Sequence, residues 1–136
     1  MKQEIEIAGR KIGPRYPPYL IAEISGNHNG DIQRAKMLIK MAKDSGACAV
    51  KLQTYTADSL TINTNKDEFI LQEGTWQGRN LYELYKEAHT PWEWFPELFS
   101  YAKTVGITTL VLHLISKPLT CLKSLMRQRT KLHQMN

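Results

Sequence analysis

Residues 19–53 read "YLIAEISGNHNGDIQRAKMLIKMAKDSGACAVKLQ", and their pattern decides the fold class. Tyr19–Ser25 is an apolar run bounded by turn residues, as a buried strand would be. "GNHNGD" is a loop, and its last residue, Asp31, stands where a helix N-cap belongs. From Ile32 to Ser45, Ile32, Ala35, Leu38, Ile39 and Ala42 recur at helical spacing, with Lys36, Lys40 and Lys43 on the opposite side. Gly46 ends that helix as a C-cap glycine does, and "ACAVKLQ" is a second short apolar run. Strand, helix and strand fit within the roughly 30 residues of a βαβ unit. A parallel sheet or barrel follows, and the chain is α/β.

On the N-terminal side, "KQEIEIAGRKIG" alternates Ile5, Ile7 and Ile12 with charges and predicts a short edge hairpin; "PRYPPY" then breaks the chain. Downstream, residues 54–79 are long, polar and rich in Thr and Asn, the mark of a functional loop. Asn80–Ala88 is helical in pattern. Thr90-Pro91-Trp92-Glu93 is a capping-box pattern with Pro at the first helical position. Pro96 sits too deep for a helix beginning there, because it has no N–H for the preceding turn. Either the helix kinks, or a short turn precedes a second helix starting at Pro96. Gly106 caps the end, and "ITTL" begins a third strand. Trp92, Trp94, Phe95 and Phe99 read as core rather than as a sugar-stacking platform.

The net charge of +5 suggests an acidic partner until its distribution is counted. All 13 acids lie at or before Glu97, and 13 of the 18 bases lie before Val111, so residues 1–110 sum to zero. The excess belongs to Lys117, Lys123, Arg127, Arg129 and Lys131. Cys48 and Cys121 have no metal-ligand spacing and read as free thiols of a reducing compartment. The first residues lack the apolar core of a signal peptide, and no run reaches the roughly 18 apolar residues of a membrane span. The expectation is a cytoplasmic protein with no membrane association.

In a parallel sheet the working residues gather at the C-terminal ends of the strands. Glu23 lies in the apolar run "LIAEI", where a carboxylate is costly unless paired or used. Lys51 interrupts "AVKLQ" with the opposite sign; it could anchor a phosphate or carboxylate, or pair with Glu23. Gln53, two residues on, shares its face. Asn27, His28 and Asn29 lie on a loop leading into a helix N-terminus, a natural anion site. The alternative for His28 is a histidine that packs the loop. Together these features fit a small anionic substrate without specifying a reaction.

"IAEISGNHNG" followed by "GACAVKLQTY" at this separation resembles the sialic acid synthase family, over about Ile5 to Leu110. "WQGRNLYELYKEAHTPWEW" is closer to the pseudaminic acid branch than to the neuraminic or legionaminic acid branches. One local departure is "FPELF", where the family more often has polar residues before "ELF". The resemblance implies a (β/α)8 TIM barrel, here cut off after about three strands, and in intact members a small second domain and a homodimer. It implies condensation of phosphoenolpyruvate with an N-acetylated amino sugar. By position, Glu23 corresponds to the active-site glutamate and Lys51 to the lysine that binds phosphoenolpyruvate, the two catalytic assignments. Gln53, Asn27 and His28 fall among the substrate-binding positions. The family implies a divalent metal, Mn or Mg, as a Lewis acid on the sugar aldehyde. The histidines that bind it belong to later strands, so the resemblance implies no metal ligand in this chain.

After Leu110 the resemblance stops. The family continues with something like "SSPFD", "AVDLLE" and "PAYKIAS", where this chain has "VLHLISKPLTCLKSLMRQRTKLHQMN". Decoded one base over, codons permitted by Gln128–Gln134 spell Ala-Tyr-Lys-Ile-Ala-Ser; Leu112–Ile115 permits Pro-Phe-Asp, and Lys117–Lys123 permits Ala-Val-Asp-Leu-Leu-Glu, in order. The expectation is therefore two regions: residues 1–110 as the beginning of a barrel, and residues 111–136 as an out-of-frame basic tail. This shortened chain is then expected to be inactive alone. The competing reading is a non-enzymatic protein that binds nucleic acid through a genuine basic tail.

Overall fold

The computed structural model describes residues 4–113. The basic tail beyond His113, with Cys121 and the out-of-frame reading, lies outside the described residues.

Two strands, β1 (Ile5–Ile7) and β2 (Arg10–Ile12), form the expected antiparallel hairpin. Its turn places Ala8 and Gly9 at positive φ. Then β3 (Ile21–Glu23), β4 (Ala49–Thr54) and β5 (Thr108–His113) make a parallel sheet in the order β3-β4-β5. The third strand thus runs to His113, past the Leu110 boundary drawn from sequence. Parallel pairing needs crossovers, and helices supply both. Helix α1 (Ile32–Asp44) joins β3 to β4, and α4 (Phe95–Val105) precedes β5. The smaller α2 (Ala57–Leu60) and α3 (Leu81–Ala88) lie in the excursion between β4 and α4.

Local chemistry sets the helix ends. The Asp31 carboxylate accepts from the Gln33 N–H at 2.7 Å, capping α1. Asn80 caps α3, its side-chain oxygen 2.8 Å from the Tyr82 nitrogen. Gly106, at φ 73°, ends α4 in the left-handed conformation that costs a residue with a Cβ most. The Pro96 conflict is resolved by a break: Trp92–Trp94 form a single 3-10 turn, and α4 then begins at Phe95 with Pro96 in its first turn. There its missing N–H costs nothing.

One face of the sheet is covered. Val50 and Leu52 of β4, with Ile24 just after β3, pack against Ala35 and Ile39 of α1 and Phe95, Leu98 and Ala102 of α4. Trp92, Trp94 and Phe99 pack around this core, as their composition suggested. The other face carries Ile21 and Glu23, Lys51 and Gln53, Leu110 and Leu112, aligned by register: Glu23 beside Lys51 beside Leu110. Ile21 (47% exposed) and Leu112 (39% exposed) are open there. Among the described residues the strands do not close into a barrel, and β3 and β5 are both edges. No helix of the described residues is long and apolar enough to cross a membrane.

Candidate active site

Register brings the two charged strand residues together. Glu23 and Lys51 are direct neighbours across the β3-β4 ladder, and their side chains leave the sheet on the same face. Lys51 Nζ lies 3.0 Å from Glu23 Oε2, and Gln53 Nε2 donates to Glu23 Oε1 at 2.7 Å. The carboxylate thus has an ammonium on one oxygen and an amide donor on the other. The Lys51 hydrogen bond, then that of Gln53, hold the Glu23 carboxyl below its ordinary value, against a weaker opposing effect of desolvation. Glu23 is therefore a carboxylate at neutral pH, an acceptor or base rather than an acid.

The cost of a charge in an apolar strand is avoided by exposure and pairing together: 42% of the Glu23 side chain and 30% of Lys51 remain accessible. An incoming anion can replace Glu23 as the partner of the Lys51 ammonium without desolvating a buried ion pair.

The loop after β3 divides the remaining expectations. Asn27 is exposed; its Nδ2 donates to the Ile24 carbonyl at 3.1 Å, and with Glu23 it borders a cavity between β3 and α1. His28 is not at the strand ends. It is 1% exposed, with Nε2 3.2 Å from Thr90 Oγ1 and Nδ1 accepting from the Gly30 N–H at 3.1 Å. The ring meets Trp94 edge-on, with centroids 5.2 Å apart. Both nitrogens are engaged, so in this structure His28 packs the loop, the alternative that the sequence left open beside substrate binding. Its partner Thr90, buried at 2%, was read from sequence as a capping residue. Only the polarity of a residue ahead of Pro91 could have marked it.

The long segment after β4 is stitched rather than loose. Asn80 Nδ2 donates to the Thr64 carbonyl at 2.6 Å, and the Tyr82 hydroxyl to Asp58 Oδ1 at 3.0 Å. The Leu71 and Gly78 backbone nitrogens close a tight turn on Arg79 and Leu71 carbonyls. Arg79 pairs with Glu87 of α3 and lies over the Trp76 ring.

Among the described residues no group of three or more His, Cys, Asp or Glu is placed to hold a metal ion. Glu23 is taken by an ammonium and an amide donor, so these residues do not fit the divalent metal that the resemblance implies.

A sequence profile described as the NeuB family matches residues 38–135, a match that runs past Leu110. The pseudaminic acid synthase of Campylobacter jejuni serotype O:2 is 51% identical over 89 residues, 65% of this chain and 26% of that protein. The pseudaminic acid synthase of Helicobacter pylori is 45% identical over 109 residues, 80% of this chain and 32% of that protein. Among solved structures, an N-acetylneuraminic acid synthetase from Leptospira borgpetersenii, in complex with citrate, superposes with a TM-score of 0.69 at 26% identity, covering 90% of this chain and 38% of that one. The chain thus spans about a quarter to a third of the length of these curated relatives. With its β-α-β units matching part of such a synthase, this chain belongs to the NeuB family.

Proposed function

We propose that this chain carries the anion-binding first strands of a nonulosonic acid synthase that makes pseudaminic acid from phosphoenolpyruvate and an N-acetylated 6-deoxy hexose. The observation that carries this reading is the paired constellation of Lys51, Glu23 and Gln53 at adjacent parallel strand ends. The choice of branch is supported by 45–51% identity to relatives named pseudaminic acid synthase.

In the reaction a bond forms between C3 of the enolpyruvate and the sugar aldehyde carbon, water adds at C2, and phosphate leaves. Lys51 neutralises a carboxylate or phosphate oxygen of phosphoenolpyruvate, which it can reach by exchanging its contact with Glu23. Glu23, freed from the ammonium, regains basicity and takes a proton or orients a sugar hydroxyl. Gln53 keeps the carboxylate in place during that exchange. Asn27 lies on the loop that borders the sugar. His28 serves the site by fixing that loop rather than by touching substrate.

The three parallel strands of the described residues form an open sheet, and this chain is read as inactive alone. The intact enzyme is read as a cytoplasmic homodimer. Residues 111–136 are read as out of frame, the slip lying near Thr109, and the family match that extends to residue 135 stands against this reading. The nucleotide sequence tests this: the neighbouring frame should continue into barrel strands, and immediate stop codons there would refute it.

The function is tested by calorimetric titration of phosphoenolpyruvate into the chain and into Lys51→Met. Binding to the parent chain, lost in the variant, is expected. Equal binding by both would contradict the assignment of Lys51, and no binding by either would contradict the anion site itself.

A further inference from the structure

The His28 ring sits where two separate parts of the chain are clamped together. Its Nδ1 accepts the Gly30 backbone N–H, and a backbone amide can only donate. Nδ1 therefore carries no proton, the neutral ring is the Nε2–H tautomer, and that N–H points at Thr90 Oγ1. The clamp is tightened from a second place. A Cβ on Gly26 would stand 2.9 Å from the Ala88 carbonyl oxygen and 3.0 Å from the Ala88 Cβ. Loop residues 26–30 thus lie directly on residues 88–94, with the His28 ring edge-on to Trp94 and 1% exposed.

We propose that His28 is a neutral latch that holds the loop following Glu23 against the Thr90 segment, and that protonating its ring releases this loop. An imidazolium has two donors and no acceptor, so Nδ1–H would face the Gly30 N–H and that amide would lose its partner. Ring charge would also be buried beside Trp94 and Thr90 without a counter-ion. The charged and titratable groups around the latch do not supply one. His89, on the same segment as Thr90, adds to the burial that holds His28 below its ordinary value of 6.5. The Asp31 carboxylate on the loop side caps α1 through the Gln33 N–H and is not among the groups acting on the ring, and Arg34 of α1 is held on the Asn27 carbonyl at 2.9 Å.

The sign follows. With a folded-state pKa below that of the unfolded chain, the clamp is intact above about 6.5. Its contribution is lost as pH falls from there towards the depressed folded value. Because Asn27 and the end of β3 are on the released segment, opening the latch disturbs the surroundings of Glu23. The proposal stands on this geometry and is independent of the substrates assigned to the site.

Nitrogen-15 spectra of the histidine rings in the labelled 136-residue chain test it directly. At neutral pH His28 is expected as the Nε2–H tautomer; an Nδ1–H tautomer or an imidazolium at that pH would overturn the latch. On acidification, the protection of the Gly30 amide, its exchange rate taken relative to the intrinsic rate at each pH, should fall about tenfold, the loss of one hydrogen bond, in step with the His28 ring. Core amides such as that of Ile39 should not follow it. Exchange at Gly30 that ignores His28 protonation would also overturn it. His28→Asn keeps an acceptor near Nδ1 and cannot titrate, so the acid step should vanish while neutral-pH protection of Gly30 persists. A step surviving in that variant would place the switch on another group, and the wild-type spectra decide the question if the variant does not fold.

Discussion

Glu23 and Lys51 share one rung of a parallel ladder, and this explains both residues at once. A carboxylate or an ammonium alone in an apolar strand is a cost; side by side on the open face, each satisfies the other. Removing Lys51 takes away the largest influence on Glu23, so Lys51→Met should raise the Glu23 pKa towards its ordinary value of 4.5. Carbon-13 titration of the Glu23 carboxyl measures this; an unchanged midpoint would mean that Lys51 is not the controlling neighbour. The pair also fixes the direction of acid sensitivity. A lowered carboxyl pKa stabilises the fold above about 4.5, and that contribution disappears as pH falls through the folded value. Gly26 is a second residue whose identity is dictated by contact. Gly26→Ala would push a Cβ into the Ala88 backbone, and overpacking of this kind costs about 1–3 kcal/mol, read as a lowered denaturation midpoint. An unshifted midpoint would show that the loop yields. Glu23, Lys51 and Gln53 were legible in the sequence because polar residues in apolar strands stand out. The burial of His28 was not, since its partners Thr90 and Trp94 lie more than 60 residues away and no local pattern points to them.

At the scale of elements, the sequence spoke most clearly where the signal was local. Periodicity and Asp31 located α1, Asn80 the start of α3, and Gly106 the end of α4, each through a cap whose chemistry is confined to one turn. Asp31→Ala should cost about 0.5–2 kcal/mol, because the Gln33 N–H loses its acceptor. A smaller loss in thermal unfolding would mean that water replaces the cap without cost. The break at Trp92–Trp94 was one of two outcomes that Pro96 allowed, and Thr90 turned from presumed cap into the partner of His28. The excursion after β4 was legible as a functional loop in length and polarity only. Its small elements depend on side chains such as Asn80 and Tyr82 reaching back 16 and 24 residues.

For the whole molecule, the parallel sheet has two unpaired edges and one uncovered face. Leu20, Ile21, Met37 and Met41, on or near β3 and α1, are 47–56% exposed. Such edges and apolar surface favour pairing with other chains. Sedimentation of the purified chain is expected to show concentration-dependent association, whereas a monomer at all concentrations would show that this surface is covered. Turnover of phosphoenolpyruvate with the amino sugar, the activity proposed above, is expected to be absent from the 136-residue chain, because the parallel sheet of its described residues is open at both edges. The central claim is nevertheless narrower than turnover: Lys51 gives up Glu23 to an anion. The most direct measurement is the Glu23 carboxyl pKa, followed by nuclear magnetic resonance with and without saturating phosphoenolpyruvate. The account predicts that it rises when the ligand binds, as the Lys51 ammonium moves to the incoming oxygen. A Glu23 titration unchanged by phosphoenolpyruvate would contradict it.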